Sequence, residues 1–284
     1  MATPKVWFIT GTSSGFGKEF ARQALDRGDK VIATARTISR LQDLKQAGAD
    51  ILTLDVTTSP DDIKKVAEEA FNLYGRIDYL INNAGYALIG GIEETTHEDA
   101  QVQFATNVFG LLNVTRAFLP YFRAQRSGVI ANLSSIGGWN GSPGVGLYCA
   151  SKWAVSGISE TLSNELAEFN IKVCCVEPGY FRSSFLNPGN KISRDTSNVI
   201  EDYEGTAVRR GEELLVNADN KQKGDPKKGV KVMIDVLTGA TGKEVPMRLA
   251  LGSDAYVVIR GKCEATIKLL DDWKDITTPT DVDE

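Results

Sequence analysis

Val6-Trp7-Phe8-Ile9-Thr10-Gly11-Thr12-Ser13-Ser14-Gly15-Phe16-Gly17 is the stretch whose reading decides the fold. Its first four residues are apolar and strand-sized. A Gly/Ser loop follows, and then a helix pattern over residues 15–27. Glycines at 11, 15 and 17 permit a tight turn and a close backbone approach. A helix opening directly after such a loop offers unpaired N–H groups and a partial positive charge to a pyrophosphate. A plain glycine-rich turn would carry the same glycines. The strand before and the helix after are what favour a dinucleotide cradle, with Gly11, Ser13, Ser14, Gly15, Phe16 and Gly17 as its residues.

Outward from this unit the pattern repeats. Short apolar runs at 31–35, 51–54, 79–81, 129–133 and 173–176 read as strands, with longer amphipathic runs between them. Ser59 followed by Pro60 reads as an N-cap with proline in the first helical position. Strands alternating with helices of this length imply right-handed crossovers and a buried parallel sheet. The fold class is therefore α/β, a single-domain Rossmann-type doubly wound parallel sheet with helices on both faces. Residues 182–225 break the rhythm: they are polar, show no clear strand, and read as an irregular lid over the site. Asp225 and Pro226 restart a helix, 249–251 reads as a last edge strand, 254–270 as a helix, and 271–284 as an acidic tail. One domain over 1–284 is the economical organisation.

Composition narrows the function. The 284 residues are 42% hydrophobic, enough for a sizeable core and too many for a disordered chain. The net charge of −5 argues against general nucleic-acid binding. One histidine, His97, leaves no basis for a His-rich metal site, and no metal is expected. The cysteines, Cys149, Cys174, Cys175 and Cys263, have neither metal-site nor disulfide-framework spacing, which fits reduced thiols and a cytoplasmic protein. No apolar run reaches the ~20 residues that span a bilayer, so no membrane partner is expected.

Tyr148 and Lys152 are four apart and so share one helix face. A free phenol, with pKa near 10, is a weak acid–base catalyst at neutral pH. A neighbouring ammonium favours the phenolate, and the expectation is that Lys152 draws the Tyr148 pKa toward the working range. Ser135, 13 residues earlier, closes the strand at 129–133 and can donate to an oxygen on which charge develops. Ser134 is its neighbour and competitor for that role.

The glycine spacing G-x-x-x-G-x-G resembles that of the short-chain dehydrogenases/reductases. So do Asn82-Asn83-Ala84-Gly85, Asn107-Val108-Phe109-Gly110, Ser135, Tyr148-x-x-x-Lys152 and Pro178-Gly179, in that order along residues 5 to about 185. The likeness extends to longer members that include retinol and hydroxysteroid dehydrogenases and ketone reductases. The resemblance implies a catalytic set of Asn107, Ser135, Tyr148 and Lys152. Tyr148 would be the acid/base and Ser135 the donor to the carbonyl oxygen. Lys152 would hold the nicotinamide ribose, and Asn107 would hold a relay water through its backbone in a bent helix. It further implies cofactor contacts from Asp55, Val56, Asn82, Ala84, Gly85, Pro178, Gly179, Phe181 and Ser183. Three positions depart from the family pattern: Phe16, Glu177 and Ser183.

The second strand ends Ala33-Thr34-Ala35-Arg36, so the position that would carry an acid for NAD is Ala35. Arg36 suits a 2′-phosphate, with Arg40 a second candidate, and the expected cofactor is NADP(H). Leu88, Ile89, Trp139, Pro143, Val145, Tyr180, Phe181, Phe185 and Leu186 are the expected substrate wall, which suits a hydrophobic ketone or aldehyde. Trp153 is expected to pack inside the helix layer. The resulting expectation is an NADPH-dependent carbonyl reductase, with an NAD-linked alcohol dehydrogenase or a non-turning-over NADPH sensor as alternatives. Family members pair through helices like those near 111–126 and 146–169, which implies a homo-oligomer, a dimer or tetramer.

Overall fold

Strand β1 (Val6–Ile9) lies at the centre of a seven-stranded sheet in which every neighbouring pair is parallel. A computed structural model describes residues 3–187, 191–193, 198–219 and 221–282. From β1 the chain enters α1 (Gly15–Asp26), β2 (Lys30–Ala35), a 3₁₀ turn leading into α2 (Gln42–Gln46), β3 (Asp50–Thr53) and α3 (Pro60–Tyr74). It continues through β4 (Tyr79–Asn82), β5 (Ala87–Ile89), α4 (His97–Phe104), a π-helical turn (Ala105–Gly110), α5 (Leu111–Gln125), β6 (Gly128–Leu133) and α6 (Gly146–Leu166). The last part holds β7 (Ile171–Pro178), β8 (Lys191–Ser193), α7 (Ala207–Ala218), α8 (Pro226–Leu237), β9 (Arg248–Leu251) and α9 (Ser253–Thr277). The sheet order is β3-β2-β1-β4-β6-β7-β9, the doubly wound arrangement expected.

Alternation along β1 sets the two layers. Trp7 and Ile9 face Phe20 and Ala24 of α1 and Met233 and Ile234 of α8. Val6 and Phe8 face Ile63 of α3, Phe118 and Phe122 of α5, and Leu162 of α6. All four β1 side chains are buried, as a central parallel strand requires. The helix starts read from sequence hold: the Ser59 hydroxyl accepts from Asp62 N with Pro60 at the first position, and Asp225 caps α8 by accepting from Lys227 N.

Three expectations are corrected. The segment 182–225 is less irregular than expected: it contains β8, which pairs with β5 in a separate two-stranded parallel sheet, and the three-turn helix α7. Residues 188–190, 194–197 and 220 of that lid lie outside the described residues, as do 283 and 284 of the tail. The tail is also shorter than expected, because α9 continues to Thr277. Trp153 does not pack inside the helix layer; it is 48% exposed on the outer face of α6.

Candidate active site

The loops at the carboxyl ends of β1, β2, β3, β4, β6 and β7 open into one cavity of about 590 Å³, the place where open α/β sheets bind ligands. The glycine loop forms one wall. Gly11 has φ +68°, and a Cβ there would stand 2.9 Å from Ala84 Cα. A Cβ on Gly17 would stand 2.5 Å from the Gly11 carbonyl oxygen. Gly17 thus permits the tight loop from behind and does not itself line the cavity, while Gly11, Ser13, Ser14, Gly15 and Phe16 do. Ser14 occupies the N-cap of α1 without a side-chain cap bond, which leaves the first turn's N–H groups available to an anion.

The loop is tied to the sequence after β4. Thr10 Oγ1 accepts from Asn83 N and Ala84 N, both at 2.9 Å, and Asn83 Nδ2 donates to the Thr10 and Gly11 carbonyls. Ala84 and Gly85 line the cavity. Asn82 does not. It is buried, and its Nδ2 donates to Thr115 and Asn132 inside the fold. Asn83 is therefore the asparagine at the site, because successive residues at a strand end point to opposite sides.

At the end of β2, Ala35 and Arg36 both line the cavity. Arg36 is exposed and makes no hydrogen bond or ion pair with another described residue. Arg40, the second candidate, does not line the cavity. Asp55 and Val56 do, and Asp55 Oδ1 accepts from Thr57 N and Oγ1. A Cβ on Gly110 would meet Val56 Cγ2 at 2.7 Å, so that glycine lets α5 approach this wall.

Tyr148 and Lys152 stand one turn apart at the start of α6 and line the cavity together with Ser135. Ser135 caps a 3₁₀ turn by accepting from Gly137 N at 3.1 Å, and its hydroxyl hydrogen-bonds the Tyr148 phenol. Ser134 is occupied elsewhere: its hydroxyl donates to the Lys152 carbonyl at 3.0 Å and contacts Ser156. The Lys152 ammonium donates to the Leu133 carbonyl at 2.7 Å and lies 5.7 Å from the centre of the Tyr148 ring.

The electrostatics correct one expectation. Burial pushes the Tyr148 phenol above its ordinary value, and the Ser135 hydrogen bond only partly offsets this. Burial also lowers Lys152 to about 8. A lysine weakened in this way and turned to a backbone carbonyl does not bring the phenol toward neutrality.

Asn107 sits in the π-helical turn and does not line the cavity. Its Oδ1 accepts from Tyr86 N at 3.1 Å, and its Nδ2 donates to Tyr86 O and Ser151 Oγ, both at 3.0 Å. It clasps the loop after β4 to α6. The π turn is the bend expected at this position.

Pro178, Gly179, Phe181 and Ser183 line the cavity after β7. A Cβ on Gly179 would meet the Asp254 carboxylate, which accepts from Tyr180 N at 2.7 Å. Phe16 meets Phe181 edge-on at 5.1 Å between ring centres, so the unusual Phe16 closes the gap between the glycine loop and this segment. Glu177, another departure, is buried against Arg248 at 2.6 Å.

The substrate wall is only partly as expected. Val145, Tyr180, Phe181, Phe185 and Leu186 line the cavity. Leu88 and Ile89 are core residues of β5, Trp139 lies under Arg248 at 4.5 Å, and Pro143 packs against Gly211 of α7. Leu215 of α7 and Gln222 line the cavity, with no local signal in the sequence. The Gln222 Oε1 atom is buried and accepts no hydrogen bond from the described residues. An orphaned acceptor, a cradle that a Cβ would obstruct and an uncapped helix start all fit a polar ligand with an anionic part.

A doubly wound sheet whose glycine loop and Ser-Tyr-Lys group share one cavity defines a nicotinamide-dinucleotide oxidoreductase acting on carbonyl or alcohol groups. The comparisons agree: residues 5–192 match the short chain dehydrogenase family, and the chain belongs to that family. It is 36% identical to oxidoreductase BOA17 of Botryotinia fuckeliana over 278 residues, which is 96% of this chain and 98% of that protein. It is 41% identical to the 3-ketodihydrosphingosine reductase of Bacteroides thetaiotaomicron over 206 residues, 72% of this chain and 74% of that one. Among solved structures it resembles a short-chain dehydrogenase from Streptomyces avermitilis, with a TM-score of 0.89 and 37% identity, covering 99% of this chain and 100% of that one. Among the described residues no group of three His, Cys, Asp or Glu converges into a metal site, and no helix is long and apolar enough to cross a membrane.

Proposed function

We propose that this protein is an NADPH-dependent carbonyl reductase for hydrophobic ketones or aldehydes, with Tyr148 as its acid/base. The observation that carries the reading is one cavity bordered by Arg36, by the acid-free Ala35 and by the Ser135–Tyr148 pair. A relative named for reducing 3-ketodihydrosphingosine supports the ketone. The apolar and aromatic wall of Val145, Tyr180, Phe185 and Leu186 supports a hydrophobic substrate.

The residues divide the work. The N–H groups at the start of α1 bind the pyrophosphate, and Arg36 binds a 2′-phosphate through its planar donors. Asp55 and Val56 border the adenine, and Ser183 with the Pro178-Gly179 backbone borders the carboxamide. When bound, NADPH supplies the hydride. Ser135 donates a hydrogen bond to the substrate oxygen, where negative charge grows. Tyr148 gives its phenolic proton to that oxygen. Its raised pKa keeps the phenol protonated at neutral pH, which suits the reductive direction, and an alkoxide is basic enough to take the proton. Lys152 holds the ribose and steadies the phenolate that remains. Asn107, fixed by Tyr86 and Ser151, keeps the π turn in the form that lets its backbone hold a relay water. The test is NADPH consumption against a series of ketones of increasing chain length. The expected result is turnover that rises with apolar size and is weaker with NADH.

A further inference from the structure

The last helix is long and unsupported. Within α9 only Ala255 is buried, and every described residue from Glu264 onward is exposed. A free helix of that length is marginal in water unless one face is covered. That stretch is not polar all round. Tyr256, Ile259, Cys263, Ile267, Leu270 and Trp273 follow each other at steps of three or four and form one stripe. Ile267, Leu270 and Trp273 are 59%, 66% and 52% exposed.

The charges beside the stripe indicate what covers it. Along one flank run Arg260, Glu264, Lys268 and Asp271, alternating in sign. Two copies of α9 laid antiparallel about a two-fold axis near Thr266 bring the same flank of each helix together. Arg260 then faces the partner's Asp271, and Glu264 faces the partner's Lys268. In the same register Ile259 meets the partner's Trp273, Cys263 meets the partner's Leu270, and Ile267 lies near the axis. A stripe and a charge pattern that both complement themselves under one two-fold axis are the signature of an isologous interface. Within one chain Arg260 and Lys268 already bond Glu264 and Asp272, so the charged side chains lie extended along the helix surface. Mixed signs, with no cationic face, disfavour an anionic lipid surface.

We propose that α9 is a homodimerisation helix that pairs antiparallel with α9 of a second copy. Two such stripes bury on the order of 1,000 Å², the lower bound of a specific interface. This contact is separate from any pairing through α5 and α6.

The test is sedimentation of the full-length protein. Wild type is expected to be an even-numbered assembly. The variant Ile267→Asp/Leu270→Asp is expected to have half the wild-type mass, with unchanged circular dichroism and dinucleotide affinity. Arg260→Glu and Asp271→Arg, both on the exposed surface, are each expected to weaken association about tenfold, and the two together to restore it. The proposal is overturned if wild type sediments as one chain. It is overturned equally if the double aspartate variant keeps the wild-type mass, or if the paired reversal associates no better than the single ones. A monomer that co-sediments with phosphatidylcholine/phosphatidylserine vesicles through α9 would assign the stripe to a membrane and also overturn it.

Discussion

Replacing Arg36 with alanine removes a side chain that has no hydrogen-bond or ion-pair partner among the described residues and lies on the exposed rim of the cavity. Folding stability is therefore expected to change by less than about 0.5 kcal/mol. Cofactor affinity is where the effect appears. A hydrogen bond to a charged group is worth about 1.5–3 kcal/mol, and solvent at the rim brings the guanidinium–phosphate contact to the low end, about 1.5–2 kcal/mol. That is a loss of roughly 10- to 30-fold in NADPH affinity. NADH lacks the 2′-phosphate and is expected to bind Arg36→Ala as it binds wild type. Titration calorimetry with both dinucleotides measures this directly, and the NADPH advantage of wild type is expected to shrink as salt rises. Ala35→Asp is the reciprocal change: it places a carboxylate at the strand end, repels the phosphate and can accept from a 2′-hydroxyl. Equal weakening of both cofactors by Arg36→Ala, or a wild type that prefers NADH, refutes the reasoning.

Two further changes are expected to act through buried charge. Lys152 is buried with its pKa lowered to about 8, so between about pH 8 and 10.5 the unfolded chain binds more protons than the folded one and stability rises with pH. Lys152→Met is expected to melt higher than wild type at pH 7, by up to about 2 kcal/mol after the lost bond to Leu133 O, with the gap closing toward pH 10; an equal gap at both pH values contradicts this. Glu94 has no exposed side-chain area and binds the Arg209 guanidinium at 2.5 and 2.9 Å, while accepting from Ile200 N, so it fastens α7 to the loop after β5. Glu94→Gln is expected to cost about 2–3 kcal/mol locally and to speed hydrogen exchange over residues 200–218 well above the change elsewhere. Unchanged exchange there contradicts it.

Most of the sheet was legible because each of its signals is local. A buried parallel strand shows as an apolar run, and the glycine loop falls within eight residues of β1. The Tyr148–Lys152 face needs only a helical repeat. What escaped depends on distant partners. β5 and β8 are three residues each and take their pairing from about 100 residues away. α7 is anchored by an arginine 115 residues from its glutamate, and its exposed Leu214 and polar neighbours read as loop. Asn82 and Asn83 are chemically identical in sequence; only the pleat at the end of β4 separates the buried one from the one at the glycine loop. The direction of the Tyr148 shift also escaped, because helical spacing gives proximity to Lys152 but not how much water burial removes from each group.

The most direct test of the account is the rate of NADPH oxidation with a hydrophobic ketone, wild type beside Tyr148→Phe. The account predicts turnover by wild type and a loss of about 10³-fold in kcat in the variant, with NADPH affinity preserved because only the phenolic proton is removed. A phenylalanine variant that turns over at the wild-type rate, or a wild type that binds NADPH tightly and consumes none with any ketone or aldehyde, would contradict it.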